Sequence, residues 1–137
     1  RAEELGADRA IDRLEEDFSE VVWRETGKRG VDVVIDSVGE AIWEGCVRAL
    51  AKGGRLVTYG ATTGPEGKVD LRRMFWKQID VMGSTMAGHA QFREAMDAVF
   101  HGPLEPVVDR VFPMEEIEAA HRRLEEGGQF GKIVLTP

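Results

Sequence analysis

Reactive side chains are few in this sequence, and they lie far apart along the chain. The candidates for catalysis or metal binding are the three histidines, the one cysteine and three of the hydroxyl side chains: His89, His101, His121, Cys46, Ser37, Ser84 and Thr85. No two histidines have the spacing of metal ligands, and a lone cysteine forms neither an internal disulfide nor a multi-thiolate zinc site. The hydroxyls have no neighbouring base, and the Gly-x-Ser-x-Gly pattern of a nucleophile elbow is missing. The sequence therefore predicts no catalytic residue and no metal site in this chain.

Three glycines give a stronger chemical signal, because each lies at the carboxyl end of an apolar segment typical of a buried strand. These are Gly39, Gly60 and Gly83. Ligands of open parallel sheets bind at the carboxyl ends of the strands, where a glycine lets them approach the backbone. A tight turn is the better explanation for any one of the three alone. Three glycines at equivalent positions favour a ligand-binding edge.

The acidic residue that ends the first strand, Asp36, is a weaker candidate. A strand-terminal acid that binds a ribose hydroxyl requires a glycine-rich phosphate loop about 20 residues upstream, between a strand and a helix. Here Gly27 and Gly30 follow a predicted helix and precede a strand. We therefore assign Asp36 to capping or to a turn, and not to a ribose site.

Strands and helices alternate along the central part of the chain. The strands are predicted at Val31–Asp36, Leu56–Tyr59 and Ile79–Gly83, and the first is apolar enough to be covered on both faces. Helical spacing of Ile42, Cys46 and Ala49 predicts a helix that ends at Lys52-Gly53-Gly54, and a short helix is predicted near Leu71, Met74 and Phe75. Repeated crossovers of this kind build a parallel sheet.

Further elements flank this core. The sequence predicts a short strand at Arg9–Asp12, helices near residues 18–25, 92–100 and 114–127, and a last strand at Lys132–Thr136. The fold class is therefore α/β, a partial Rossmann-like doubly wound parallel sheet. No glycine-rich loop opens it, so we expect the first strands of such a sheet to lie outside this chain.

Composition excludes several classes of function. The 137 residues carry a net charge of −7 with both signs interspersed, which argues against nucleic acid as a partner. No apolar run is long enough to span a membrane, and no secretory signal is present. With its single cysteine, the chain is expected in the cytoplasm.

Five collinear segments carry a resemblance to a known family. They are residues 4–8 (Glu-Leu-Gly-Ala-Asp), 31–39 (Val-Asp-Val-Val-Ile-Asp-Ser-Val-Gly), 50–61, 82–86 (Met-Gly-Ser-Thr-Met), and the closing set 112–121 and 131–135. Together they resemble the C-terminal nucleotide-binding portion of the medium-chain dehydrogenase/reductase superfamily, which includes zinc-type alcohol dehydrogenases and quinone oxidoreductases.

The resemblance implies a nicotinamide cofactor, NAD or NADP, across the carboxyl edge of the sheet. Hydride would pass between the nicotinamide and a carbonyl or alcohol. The residues implied to contact the ribose or the nicotinamide are Val38, Gly39, Gly60, Ala61, Gly83, Ser84 and Thr85. Lys132 is implied to meet the pyrophosphate or its neighbourhood. Zinc, where a member of the family uses it, would be bound outside this chain.

By the same resemblance, residues 1–137 form the C-terminal part of a nucleotide-binding domain, and residues from about 107 to 137 return towards a catalytic domain. We expect the chain alone to be inactive. A homodimer is expected through the edge strand 79–83, whose backbone groups would otherwise be unpaired. Two alternatives stay open: a stand-alone small nucleotide- or flavin-binding domain, and a non-catalytic oligomerisation module.

Overall fold

The computed structural model describes residues 1–137, which divide into two compact units, Arg1–Thr85 and Met86–Pro137. The first unit contains α1 (Phe18–Glu25), β1 (Val31–Asp36), α2 (Trp43–Ala49), β2 (Leu50–Thr58), α3 (Leu71–Lys77) and β3 (Asp80–Gly83). The second contains α4 (His89–Phe100), β4 (Val108–Pro113), a 3₁₀ turn (Met114–Glu116), α5 (Ile117–Glu125) and β5 (Lys132–Thr136). None of the helices has the length and apolar character needed to cross a membrane.

The first unit is built on a parallel three-stranded sheet in the order β1-β2-β3, which confirms the predicted parallel α/β fold. The central strand β2 pairs Val57 with Ile35 on one side and with Met82 on the other. Since β3 pairs only with β2, β3 is an edge of this sheet. All three strands run in the same direction, so their carboxyl ends meet at one side of the unit.

The core of the first unit lies on one face of the sheet. Leu50 and Leu56 are completely buried, together with Cys46 and Val47 of α2, and the ring of Phe18 from α1 packs against them. Lys77 at the end of α3 donates hydrogen bonds to the carbonyls of Arg48 and Leu50, where α2 ends.

The opposite face of β1 is uncovered, which corrects the expectation of a strand buried on both faces. Val33 is 50% exposed and Ile35 is 70% exposed, whereas Val34 and Asp36 face the covered side. The side chains of a strand alternate between the two faces of its sheet, so helices on one side alone produce this pattern.

Two local expectations were wrong. Residues Arg9–Asp12 form no strand and have no regular secondary structure, since a strand needs a partner for its backbone groups. The helix predicted to stop at Lys52-Gly53-Gly54 ends at Ala49, because Leu50 is already extended and pairs with Val31. The two glycines lie within β2, where the pairing with β1 is irregular.

The second unit is a small β-α-β arrangement. Strands β4 and β5 are parallel, with Phe112 opposite Leu135, and α5 connects them through the chain. The carboxylate of Asp109 accepts hydrogen bonds from the guanidinium of Arg123 and, at 3.2 Å, from the backbone N–H of Phe130. This ion pair therefore joins β4, α5 and the segment before β5.

Candidate functional site

A cavity of about 530 Å³ opens where the three parallel strands of the first unit end. Six of the eight residues predicted for the site line it: Gly39, Gly60, Ala61, Gly83, Ser84 and Thr85. They come from the turns that follow β1, β2 and β3, so the sheet brings together positions that are more than 20 residues apart in sequence. The three glycines do lie at one edge.

The other two predicted residues have different positions. Val38 is not part of the cavity lining, and its carbonyl accepts hydrogen bonds from the N–H and the hydroxyl of Thr63. Lys132 begins β5 in the second unit, where its side chain is exposed and its N–H donates to Val107.

Asp36 holds the turn that follows β1. Its side chain is 1% exposed, and its carboxylate accepts hydrogen bonds from the N–H groups of Val38, at 2.8 Å, and Gly39, at 3.2 Å. Gly39 has φ +85°, and a Cβ atom there would lie 2.9 Å from the Cα of Ala61. The turn role assigned to Asp36 from the sequence is therefore confirmed. Glycine is required at position 39 because its φ is positive and because a Cβ atom there would come too close to Ala61.

Two threonines connect the loop after β2 to the turn after β1. The hydroxyl of Thr62 donates to the carbonyl of Ser37 at 3.1 Å, and that of Thr63 donates to the carbonyl of Val38 at 2.7 Å. The Thr63 hydroxyl also accepts from the N–H of Ala41 at 3.0 Å. Two walls of the cavity are thus hydrogen-bonded to each other.

Gly60 and Gly83 differ in what surrounds them. A Cβ atom on Gly60 would lie 2.7 Å from the carbonyl oxygen of Ser37, whereas one on Gly83 would have no heavy atom within 4 Å. The neighbouring backbone therefore explains the glycine at position 60 without a ligand. Gly83 is open, and it is the position at which an added side chain would project without disturbing the fold.

Eight further residues line the cavity, and four of them carry large or charged side chains: Glu40, Trp43, Tyr59 and Glu66. No lysine, arginine or histidine is part of the lining, so its only ionisable charges at neutral pH are the two carboxylates. The cavity therefore suits a neutral or cationic group better than an anion. The one signal in the sequence that could have indicated Glu40 is its position directly after Gly39, near a strand end.

A larger groove of about 1050 Å³ lies between α1 and α3, lined by Trp23, Phe75, Trp76 and several cations. Two of these cations are already paired within the chain: Arg48 with Asp17 at 2.7 Å, and Arg72 with Asp70 at 3.0 Å. Burial and the charge of nearby Arg73 lower the pKa of Lys77 from its ordinary value. Size alone therefore does not make this groove the candidate site.

The cysteine singled out from the sequence has a structural position, because Cys46 is buried in the core of the first unit. Burial, with a smaller effect from the charge of Asp36, raises the pKa of the Cys46 thiol to about 11, so this thiol is a poor nucleophile at neutral pH. No group of three or more His, Cys, Asp or Glu side chains is arranged to hold a metal ion.

Comparison with known proteins decides the family. The family model described as zinc-binding dehydrogenase matches residues 5–135. The chain belongs to this family. The resemblance to medium-chain dehydrogenases and reductases is therefore confirmed over almost the whole chain.

Relatives in this family are oxidoreductases. A 2-haloacrylate reductase from a Burkholderia species is 30% identical over an alignment of 146 positions, which covers 99% of this chain and 44% of the relative. The crystal structure of an NAD-dependent alcohol dehydrogenase is 39% identical with a TM-score of 0.87, over all of this chain and 40% of that one. A crotonyl-CoA carboxylase/reductase solved in complex with NADP is 27% identical, with a TM-score of 0.78, over 89% of this chain and 31% of that one. This chain thus spans less than half the length of the relatives it matches.

Proposed function

We propose that this zinc-binding dehydrogenase chain forms the cofactor side of an NAD(P)-dependent oxidoreductase of the alcohol dehydrogenase or quinone reductase type. The observation that carries the proposal is the cavity at the carboxyl ends of β1, β2 and β3, bordered by Gly39, Gly60 and Gly83. This is the edge at which parallel sheets of this class bind nucleotides. Oxidoreductases among the relatives support the reaction class.

The nicotinamide half of the cofactor suits this cavity best. The ring is neutral when reduced and cationic when oxidised, and the lining carries carboxylates and no cation. Gly83 would let the ring approach the backbone, and the hydroxyls of Ser84 and Thr85 would hydrogen-bond its polar groups. When bound, the cofactor supplies hydride exchange with a carbonyl or alcohol.

The phosphates need positive charge or N–H groups, and no lysine, arginine or histidine lines this cavity. We propose Lys132 as one residue that meets the pyrophosphate or its neighbourhood, on the strength of the family resemblance alone. Residues from about 107 to 137 would lead towards a catalytic domain that holds the substrate. We also propose a cytoplasmic location, since the one cysteine is buried and free.

The test is binding of NADH to the complete protein, with Gly83→Val as the perturbation. A Cβ atom at this position meets nothing within 4 Å, so the variant should fold normally and weaken NADH binding by at least tenfold. Gly128→Val is the matched control, because Gly128 is equally open but lies in the second unit, outside the cavity lining. Titration by NADH fluorescence measures both. Unchanged affinity in Gly83→Val would remove this cavity from the cofactor site.

We further propose that the chain forms a homodimer through the edge strand β3. Val81 and Met82 are 41% and 47% exposed there, and β3 has a partner on one side only. The N–H of Ser84 donates to Thr58 on β2, and since strand amides alternate in direction, that of Val81 points to the open side. Antiparallel pairing with a second copy would satisfy this open edge.

Val81→Pro tests the dimer, because proline removes the outward-pointing N–H donor. Val81→Ala is the control, since it shortens the same side chain and keeps the donor. We expect light scattering at low micromolar concentration to show a monomer for Val81→Pro and a dimer for Val81→Ala. If Val81→Pro is dimeric at that concentration, the subunits meet elsewhere.

A further inference from the structure

Two carboxylates are the only ionisable groups that give the strand-end cavity a charge at neutral pH. Glu40 follows the turn glycine Gly39, and its carboxylate lies against Gly64 in the cavity wall. Glu66 belongs to the same loop as Gly64, after β2. Both side chains are solvent-exposed, and neither takes part in an ion pair. Their negative charge is therefore not cancelled by a neighbouring cation within 4 Å.

A nicotinamide ring in such a cavity experiences this charge in one oxidation state only. The oxidised ring carries a positive charge, and the reduced ring is neutral, while the rest of the dinucleotide is the same in both. Shape, stacking and contacts to the ribose then act almost equally on the two forms. Charge near the ring is the interaction that distinguishes them.

We propose that Glu40 and Glu66 make this cavity selective for the oxidised cofactor, binding NAD(P)⁺ more tightly relative to NAD(P)H than an uncharged cavity would. The inference rests on the proposed function, since it requires the nicotinamide to enter this cavity. By linkage, tighter binding of the oxidised form lowers the reduction potential of the bound cofactor.

The size of the effect follows from the dimensions of the cavity. A sphere with the volume of this cavity has a radius of about 5 Å, so a ring inside it lies roughly 7 Å from a carboxylate in the wall. At that distance and in a water-like dielectric, one carboxylate favours a cation by about threefold in affinity. The two together give about tenfold, and salt reduces the effect because both groups are exposed.

The experiment compares the dissociation constants of NAD⁺ and NADH in the complete protein. The variants are Glu40→Gln, Glu66→Gln and the double variant, in which the amide keeps the shape and removes the charge. Glu20→Gln is the matched control, since Glu20 lies on α1 and lines the other groove. Calorimetry gives the NAD⁺ constant and fluorescence gives the NADH constant, each at two salt concentrations.

We expect NAD⁺ affinity to fall about threefold in each single variant and about tenfold in the double variant, with NADH affinity unchanged and the control unaffected. The difference should shrink at high salt. A double variant with the wild-type ratio of the two constants would overturn the inference while leaving the proposed function intact, and so would an equal loss for both forms. Failure of the unmodified protein to bind either form would refute the proposed function and this inference with it.

Discussion

Gly60 and Gly83, two glycines at the edge proposed for the cofactor, allow a matched test of the space around each strand end. Gly60 and Gly83 each follow a strand of the same sheet, and neither has a positive φ. A Cβ atom at Gly60 would lie 2.7 Å from the carbonyl oxygen of Ser37 and 3.3 Å from its Cα, well inside van der Waals contact. The obstacle is backbone, which cannot rotate away as a side chain can. We therefore predict that alanine destabilises the protein at position 60 and not at position 83.

Gly60→Ala should destabilise the first unit by about 1–3 kcal/mol, the usual cost of forcing an extra methyl group into filled space. For a chain of this size that corresponds to a lower Tm by about 3–12 °C. Gly83→Ala has room for its methyl group, so the reduced freedom of the unfolded chain should leave stability unchanged or raise it by up to about 1 kcal/mol.

Urea unfolding followed by tryptophan fluorescence measures both changes. All three tryptophans, Trp23, Trp43 and Trp76, lie within residues 1–85, so the signal reports on the first unit specifically. Equal unfolding midpoints for Gly60→Ala and Gly83→Ala would refute the reasoning, because the two substitutions differ in the space around the added methyl group. A destabilised Gly83→Ala would contradict the open space around the Cβ position of Gly83.

Three further predictions concern the second unit, the thiol and the chain as a whole. Hydrogen bonds from Arg123, and then from the N–H of Phe130, lower the pKa of Asp109 to about 2. A lowered pKa of this kind stabilises the folded second unit. The stabilisation is complete above the ordinary aspartate pKa of about 3.9 and is lost as the pH falls through 2. Asp109→Asn removes this titration. Between about pH 4 and 2, hydrogen-exchange protection of the β5 amides should therefore fall less in the variant than in the unmodified protein, and an unchanged profile would contradict this. Native Cys46 should resist a disulfide reagent at pH 8 and react in urea, and rapid reaction of the folded protein would contradict its burial. The 137-residue chain alone should show no dehydrogenase activity and weak NADH binding, whereas tight, saturable binding by calorimetry would contradict the proposed need for further phosphate contacts.

The strands and the glycine edge could be predicted from the sequence because their signals are local. Val31–Asp36 is a β-branched run bounded by glycines, and the structure has a strand with the same limits. The start of β2 could not be predicted in this way. Leu50 continues the helical spacing of Cys46 and Ala49, and only its pairing with Val31 of β1 makes it extended. Pairing between distant segments overrides a local pattern of this kind.

The charges of the cavity were missed for a related reason. Glu66 lies in a Thr- and Gly-rich loop with no periodicity, so nothing in its surroundings indicates which way the loop folds. Its position depends on the loop being attached to the turn after β1 through hydrogen bonds between residues 25 positions apart. Trp43 packs against the core and also lines the cavity, which its helical position alone does not indicate.

The hydrogen bonds of Thr62 and Thr63 have a consequence for how quickly a ligand can bind. Loops that are already attached to each other lose little conformational entropy when a ligand arrives, so more of the contact energy appears as affinity. A preorganised cavity also requires no ordering step before or after encounter. We therefore expect ligand association here to be a single bimolecular event, with an observed rate that rises linearly with ligand concentration and does not reach the plateau that a slow loop rearrangement imposes.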